Sequence, residues 1–221
     1  MIGKAKDFLD ILIQHFYVNW VQTSKILAIA SGVAYTLAYF DYNRQVIKGA
    51  TKPNGATWLI WSIIAAVSTT SYLKASGDVW KSVIPIINIA LCLATFILAV
   101  CLKKFQRPDP MDFIALLLGV VAVAVWKQYG SAKDANLIVQ LAILSGFIPT
   151  WRTILKNPGC EQPRPWWMWA AGYFLAGVVV LVRWNNQWSD LIYPINCVLL
   201  HSSVPLLGVA RRQSHLQSEI M

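Results

Sequence analysis

The sequence predicts an all-α integral membrane protein of seven transmembrane helices, arranged as two parallel three-helix repeats joined by a linking helix. Three observations predict it. Only 13% of the 221 residues are charged while 57% are apolar, whereas a soluble domain carries about 25% charged residues. The charges gather between long uncharged runs, so despite a net charge of +9 they read as membrane flanks and not as a nucleic-acid surface. Finally, part of the chain recurs: adding 108 to Trp58, Trp61, Trp80 and Asn88 gives Trp166, Trp169, Trp188 and Asn196. The same offset carries Arg44 onto Arg152, Lys48 onto Lys156, and Ile84, Ile87 and Leu91 onto Ile192, Ile195 and Leu199. Three tryptophan pairs in one register define two copies of one unit.

Residues 1–24 are too polar to span a bilayer, and no small-residue cleavage site follows their apolar positions. Phe8, Leu12, Phe16 and Trp20 recur every four residues with Asp7, Asp10 and Gln14 opposite. That pattern predicts an amphipathic helix, lying in the membrane interface or packed on the bundle. Repeat 1 covers residues 25–102. Its first span is the apolar run 26–40, short against the roughly 20 residues a span takes, and is expected to continue to Ile47. Gly49, Pro53 and Gly55 break it. The second helix is predicted over 56–73 and the third over 82–102.

Residues 103–132 hold the linking helix, predicted over 113–126 as the weakest span and without a repeat partner. Repeat 2 covers 133–210, with helices predicted over 135–151, 166–182 and 191–210; residues 211–221 form a polar tail. The lone fourth span has a geometric reason. A three-span unit leaves its second copy inverted, and one extra span restores the orientation, giving two parallel copies about an axis along the membrane normal. Of the 19 lysines and arginines, 11 flank the side holding the first loop and the C-terminus, which places the N-terminus outside and the C-terminus in the cytoplasm, with the cell membrane as the expected location.

A 3+1+3 arrangement with one asparagine in the third helix of each copy resembles the SWEET and PQ-loop repeat superfamily of small-solute transporters over roughly residues 25–210. The segment Tyr42-Asn43-Arg44-Gln45, followed by a basic loop with Pro and Gly, adds to the likeness. The Pro-Gln dipeptide that names PQ-loop proteins is absent: the two copies read Asp41-Tyr42 and Pro149-Thr150. The resemblance implies a central substrate pocket lined by Asn88 and Asn196. It further implies pocket residues about one helix earlier, where Ser71 and Tyr72 stand in the first copy and Val179 and Val180 in the second.

Each candidate has a plainer alternative. An asparagine amide in an apolar helix either faces a shared site or makes an interhelical hydrogen bond. His201, the only ionisable group placed deep in a span, is either a proton-coupling residue or a neutral hydrogen-bonding one. The paired tryptophans are read chiefly as headgroup anchors, with Trp61 and Trp169 deepest and the best placed to touch a solute. Lys48 and Lys156 are assigned to lipid phosphates or helix C-termini. Cys92, Cys101, Cys160 and Cys197 lack C-x-x-C spacing and read as small buried residues, without metal or disulfide.

The sequence carries no nucleophile–base pair or paired carboxylates, so it is read as no enzyme and as needing no cofactor. The expected function is alternating-access transport of a small polar solute, sugar or amino-acid-like, by facilitated diffusion; a non-transporting receptor or scaffold is the competing class. The partners implied are the lipid bilayer and a small-molecule solute, not nucleic acid, and a homo-oligomer is compatible with this.

Overall fold

The computed structural model describes residues 2–51, 53, 55–103 and 110–220, without the side chains of 2–18, 55, 56 and 214–220. The described chain holds seven helices: α1 (Ile2–Ile47), α2 (Gly55–Ser76), α3 (Val83–Cys101), α4 (Pro110–Tyr129), α5 (Ala132–Lys156), α6 (Pro163–Val182) and α7 (Ser189–Ile220). Their stops are local. Gly77 follows α2 at φ +63° and Gly130 follows α4 at φ +69°, a left-handed conformation that costs a glycine nothing and ends a helix. Ser131 then caps α5, its side chain accepting from Asp134 N at 3.2 Å.

Five helices, α3 to α7, are long and apolar enough to cross a membrane. The exposed face of each is apolar, as with Phe113, Leu117 and Val120 on α4 and Ile195, Leu199 and Leu206 on α7. The linking helix is not the weakest: α4 reaches a mean hydropathy of 1.8, above the 1.4 to 1.6 of α5 to α7. The low-hydropathy helices are α1 and α2, because their polar side chains turn inward. On α2, Ser62, Ser68, Thr69 and Ser71 are buried. Ser62 donates to Trp58 O at 2.7 Å and Thr69 to Ala65 O at 2.7 Å, so the preceding turn satisfies these two hydroxyls. On α1, Ile26, Ile29, Val33, Leu37 and Phe40 point out while Tyr35, Tyr39 and Tyr42 are buried. An average along the helix cancels these two faces.

Residues 2–47 form one unbroken helix, so the division drawn at residue 24 corresponds to no backbone break. At about 1.5 Å per residue its 46 residues run roughly 69 Å, well beyond the roughly 30 Å of a bilayer core. Of the amphipathic face predicted on Phe8, Leu12, Phe16 and Trp20, only Trp20 has a described side chain, and it is exposed; the others lie outside the described side chains.

Six helices close a ring. Around it α1 packs on α3, α3 on α2, α2 on α5, α5 on α7, α7 on α6, and α6 back on α1. Helix α4 stands outside, against α5 and α2; the buried Asp112 on α4 accepts from Thr57 of α2 at 3.2 Å. The packing pattern repeats when α1, α2 and α3 are exchanged with α5, α6 and α7, since α1·α3 becomes α5·α7, α2·α3 becomes α6·α7, and α1·α6 becomes α5·α2.

Candidate functional site

Inside the ring lies an aromatic cluster, and it follows the 108-residue register. Trp58 and Trp61 meet at 5.1 Å and 73°; Trp166 and Trp169 meet at 5.2 Å and 76°. Tyr39 lies 5.9 Å and 67° from Trp58, and its counterpart Phe147 lies 5.9 Å and 67° from Trp166. The two halves then interlock: Trp61 of α2 stacks on Phe147 of α5 at 5.3 Å, and Trp169 of α6 meets Tyr39 of α1 at 4.9 Å. Gly146 permits the first contact, because a Cβ there would run into the Trp61 indole nitrogen.

Burial overturns the anchoring role for four of the six paired tryptophans. Trp58, Trp166 and Trp169 are buried and Trp61 is half-buried. Only the third pair is peripheral, with Trp188 exposed and Trp80 half-buried. Edge-to-face packing among rings adds about 0.5–1.5 kcal/mol per pair to area burial, which favours the cluster over separate headgroup contacts.

The cluster borders a cavity of about 50 Å³ lined by Asn88, Trp61, Trp169, His201, Ser68 and tyrosines from α1, α6 and α7. That volume holds a few waters and falls well below the roughly 150 Å³ that takes a benzene-sized guest. Tyr35 Oη donates to Asn88 Oδ1 at 2.7 Å and Tyr39 Oη to the same oxygen at 2.8 Å. Tyr35 Oη also meets Tyr173 Oη at 3.0 Å, which meets Tyr193 Oη at 3.3 Å. With its oxygen saturated, Asn88 has Nδ2 left, and no hydrogen bond among the described residues engages it. Two more cavity-lining groups, Trp169 Nε1 and Ser68 Oγ, are buried without a partner. An unpaired buried donor is costly, so Trp169 Nε1 and Ser68 Oγ call for a polar partner, water included, while the half-buried Asn88 amide faces the same space.

His201 Nδ1 lies 2.7 Å from Cys197 O. A carbonyl only accepts, so Nδ1 carries the proton and Nε2 is left as an acceptor. The ring sits 5.0 to 5.8 Å from Tyr173, Phe147, Trp166 and Trp169. No charged side chain contacts it among the described residues, which favours the neutral hydrogen-bonding role.

Three sequence candidates do not line this cavity. Asn196 Nδ2 donates to Gln140 Oε1 at 3.2 Å, an interhelical tie between α7 and α5. The α7 row that lines the cavity is Tyr193, Cys197 and His201; one residue on a helix is a turn of about 100°, so Asn196 points aside. Ser71 donates to Val67 O and accepts from Asn136 Nδ2 at 3.4 Å. Tyr72 donates to Asp190 O at 2.8 Å, past the end of the cavity. Val179 and Val180 are core residues outside the lining. Of the cysteines, Cys92 and Cys197 line the cavity, whereas Cys101 is exposed rather than buried.

The two ends of the cavity differ. Toward the α2–α3 and α6–α7 turns, Lys81 Nζ pairs with Asp190 Oδ2 at 2.8 Å, both side chains 1% exposed. Arg183 pairs with Asp78 and donates to Ser24 Oγ at 3.0 Å. Both ion pairs join one half of the ring to the other. At the opposite end is a vestibule of about 200 Å³, and Trp58 and Trp61 form a wall common to it and the cavity. There Glu161, in the α5–α6 loop, accepts from Trp166 Nε1 at 3.0 Å. Burial pushes its carboxyl from 4.5 up to about 7, and the indole bond offsets part of that. Neither the tyrosine row nor Glu161 was singled out by the sequence; the α1 spacing Tyr35, Tyr39, Tyr42 opposite an apolar stripe was the available signal.

These features define a class: a helical protein with five helices able to cross a membrane, closed around an aromatic, uncharged cavity. No protein-family model, curated protein or solved structure matches the chain.

Proposed function

We propose that the protein is a membrane transporter of SWEET-like 3+1+3 construction, moving a small polar solute by alternating access. The observation that carries this is the small central cavity with unspent donors at Asn88, Trp169 and Ser68, set between a vestibule at one end and two ion pairs at the other, one of them buried. Ring packing that repeats between α1–α3 and α5–α7 supports two parallel repeats, and the matched tryptophan geometry supports a pseudo-twofold axis through the cavity. With the N-terminus outside, the vestibule faces the cytoplasm and the ion pairs close the outer side. The location is the cell membrane.

Hydrogen bonding and aromatic walls suit an uncharged or zwitterionic solute, sugar or amino-acid-like. Facilitated diffusion is preferred to proton coupling, since His201 has no carboxylate beside it. Uptake into proteoliposomes from a defined mixture of monosaccharides and amino acids tests the reading. Saturable uptake that ignores an imposed proton gradient supports it. The small central volume also suits a non-transporting receptor or scaffold, and an absence of uptake for every component favours that class.

A further inference from the structure

We propose that the vestibule is a binding site for a small organic cation, a substituted ammonium group held between the Glu161 carboxylate and the rings of Tyr42, Trp58, Trp61 and Trp166. The site is distinct from the central cavity, and its existence does not depend on transport.

Three features of the vestibule converge on this ligand chemistry. Four aromatic side chains from α1, α2 and α6 line a single space of about 200 Å³. Their rings are set at steep angles, 54° between Tyr42 and Trp58 and 73° between Trp58 and Trp61, which builds a concave aromatic wall. Such walls attract cations through the negative ring faces, most strongly where water is excluded, and substituted ammonium groups are the ligands they suit best. The second feature is the charge. Glu161 is the one carboxylate in the lining, and no lysine or arginine makes an ion pair with it among the described residues. Glu161 is half-buried, and a carboxylate withdrawn from water without a counter-ion is costly; a cation entering the vestibule supplies one. Third, Thr57, Thr153 and Asn157 line the same space and offer oxygens to any N–H on the ligand.

The other charged and titratable neighbours of Glu161 leave this role to it. Tyr42 faces it from α1, and Cys160 beside it is pushed by burial to about 11. Arg212 of α7 borders a small groove with Glu161 but makes no ion pair with it among the described residues; its Nε donates to Pro158 O at 3.1 Å. Asp41 is paired with Arg164 at 3.3 Å. The lining residues from α2 and α5 are not ionisable. Glu161 is therefore the group that changes charge near neutrality, and a cation that needs its anion binds better as pH rises. Between pH 6 and pH 8 the ionised fraction climbs about tenfold for a group titrating near 7.

The test uses the full chain in detergent, with choline chloride as the probe and 3,3-dimethylbutan-1-ol as its uncharged isostere. Tryptophan fluorescence reports binding, because Trp58, Trp61 and Trp166 border the site. Choline is expected to give a saturable change at pH 8, about tenfold weaker at pH 6, with the isostere at least tenfold weaker than choline at pH 8. Glu161→Gln is expected to weaken choline at least tenfold and remove the pH dependence. Equal binding of the isostere, an unchanged choline affinity in Glu161→Gln, or no saturable response at pH 8 overturns the proposal. Should the variant fail to fold, the pH profile and isostere ratio of the unaltered protein decide alone. Because no vesicle is involved, failure here leaves the transport reading standing, and absent uptake leaves this site standing.

Discussion

Tyr35 and Tyr39, one helical turn apart on α1, both donate to Oδ1 of Asn88, at 2.7 and 2.8 Å. That shared acceptor leaves the amide nitrogen as the free end of the asparagine. Asn88→Leu therefore removes two interhelical hydrogen bonds, the weak bond from the Cys92 thiol to the same oxygen and one cavity donor together. At about 0.6 kcal/mol per interhelical bond in membranes, the loss of stability is about 1 kcal/mol, and solute uptake is lost with it. Asn196→Leu, which breaks only the two bonds to Gln140, costs about as much and leaves uptake in place. Thermal unfolding and proteoliposome uptake of both variants check this; equal loss of uptake in the two rejects the assignment.

Gly146 offers a second measurement. A methyl group there meets the Trp61 indole nitrogen head on, and the indole is wedged against Phe147 and Trp58. Gly146→Ala is expected to destabilise by about 1–3 kcal/mol, the usual cost of overpacking a closed core. A melting temperature equal to that of the unaltered protein means that Trp61 has room to move, and that the cluster is looser than its geometry.

How much of this was legible in the sequence depends on the kind of pattern. The tryptophan register was, because Trp58, Trp61, Trp166 and Trp169 keep one spacing and one neighbourhood through α2 and α6. Helix positions followed from apolar runs and glycine stops. The Asn88 and Asn196 pairing matched in sequence yet parted in space, since the α7 face that lines the cavity carries Tyr193, Cys197 and His201 instead. A one-residue difference in register is invisible in a repeat and decisive on a helix. Burial of the tryptophans was hidden for another reason: a ring at the start of an apolar helix reads the same whether it meets headgroups or other rings. Only the packing of α1 on α6 and α2 on α5 decides between them.

The Lys81–Asp190 pair closes the far end of the cavity with both side chains 1% exposed. A buried pair gains little over apolar residues of the same size, but breaking one leaves the other charge stranded. Lys81→Met and Asp190→Leu alone are each expected to cost about 3–5 kcal/mol, and the double variant to recover most of it. Denaturation of the three variants in detergent is the measurement. Additive losses would show that the charges do not depend on each other.

Glu161 gives the last prediction, and its sign follows from burial. The carboxyl is raised from 4.5 to about 7 in the folded chain, so between those values the folded state holds a proton that the unfolded state has released. Stability therefore falls as pH rises from about 4.5 to about 7 and stays low above it. At about 1.4 kcal/mol per pH unit the full effect is at most about 3.5 kcal/mol. Glu161→Gln keeps an oxygen for Trp166 Nε1 and removes the titration. It is expected to match the unaltered protein near pH 4.5 and to exceed its melting temperature at pH 8. Other groups also titrate over this range, so the difference between the two pH slopes is what counts. Parallel slopes mean that the carboxylate is ionised and hydrated at neutral pH, with no need of a cation beside it.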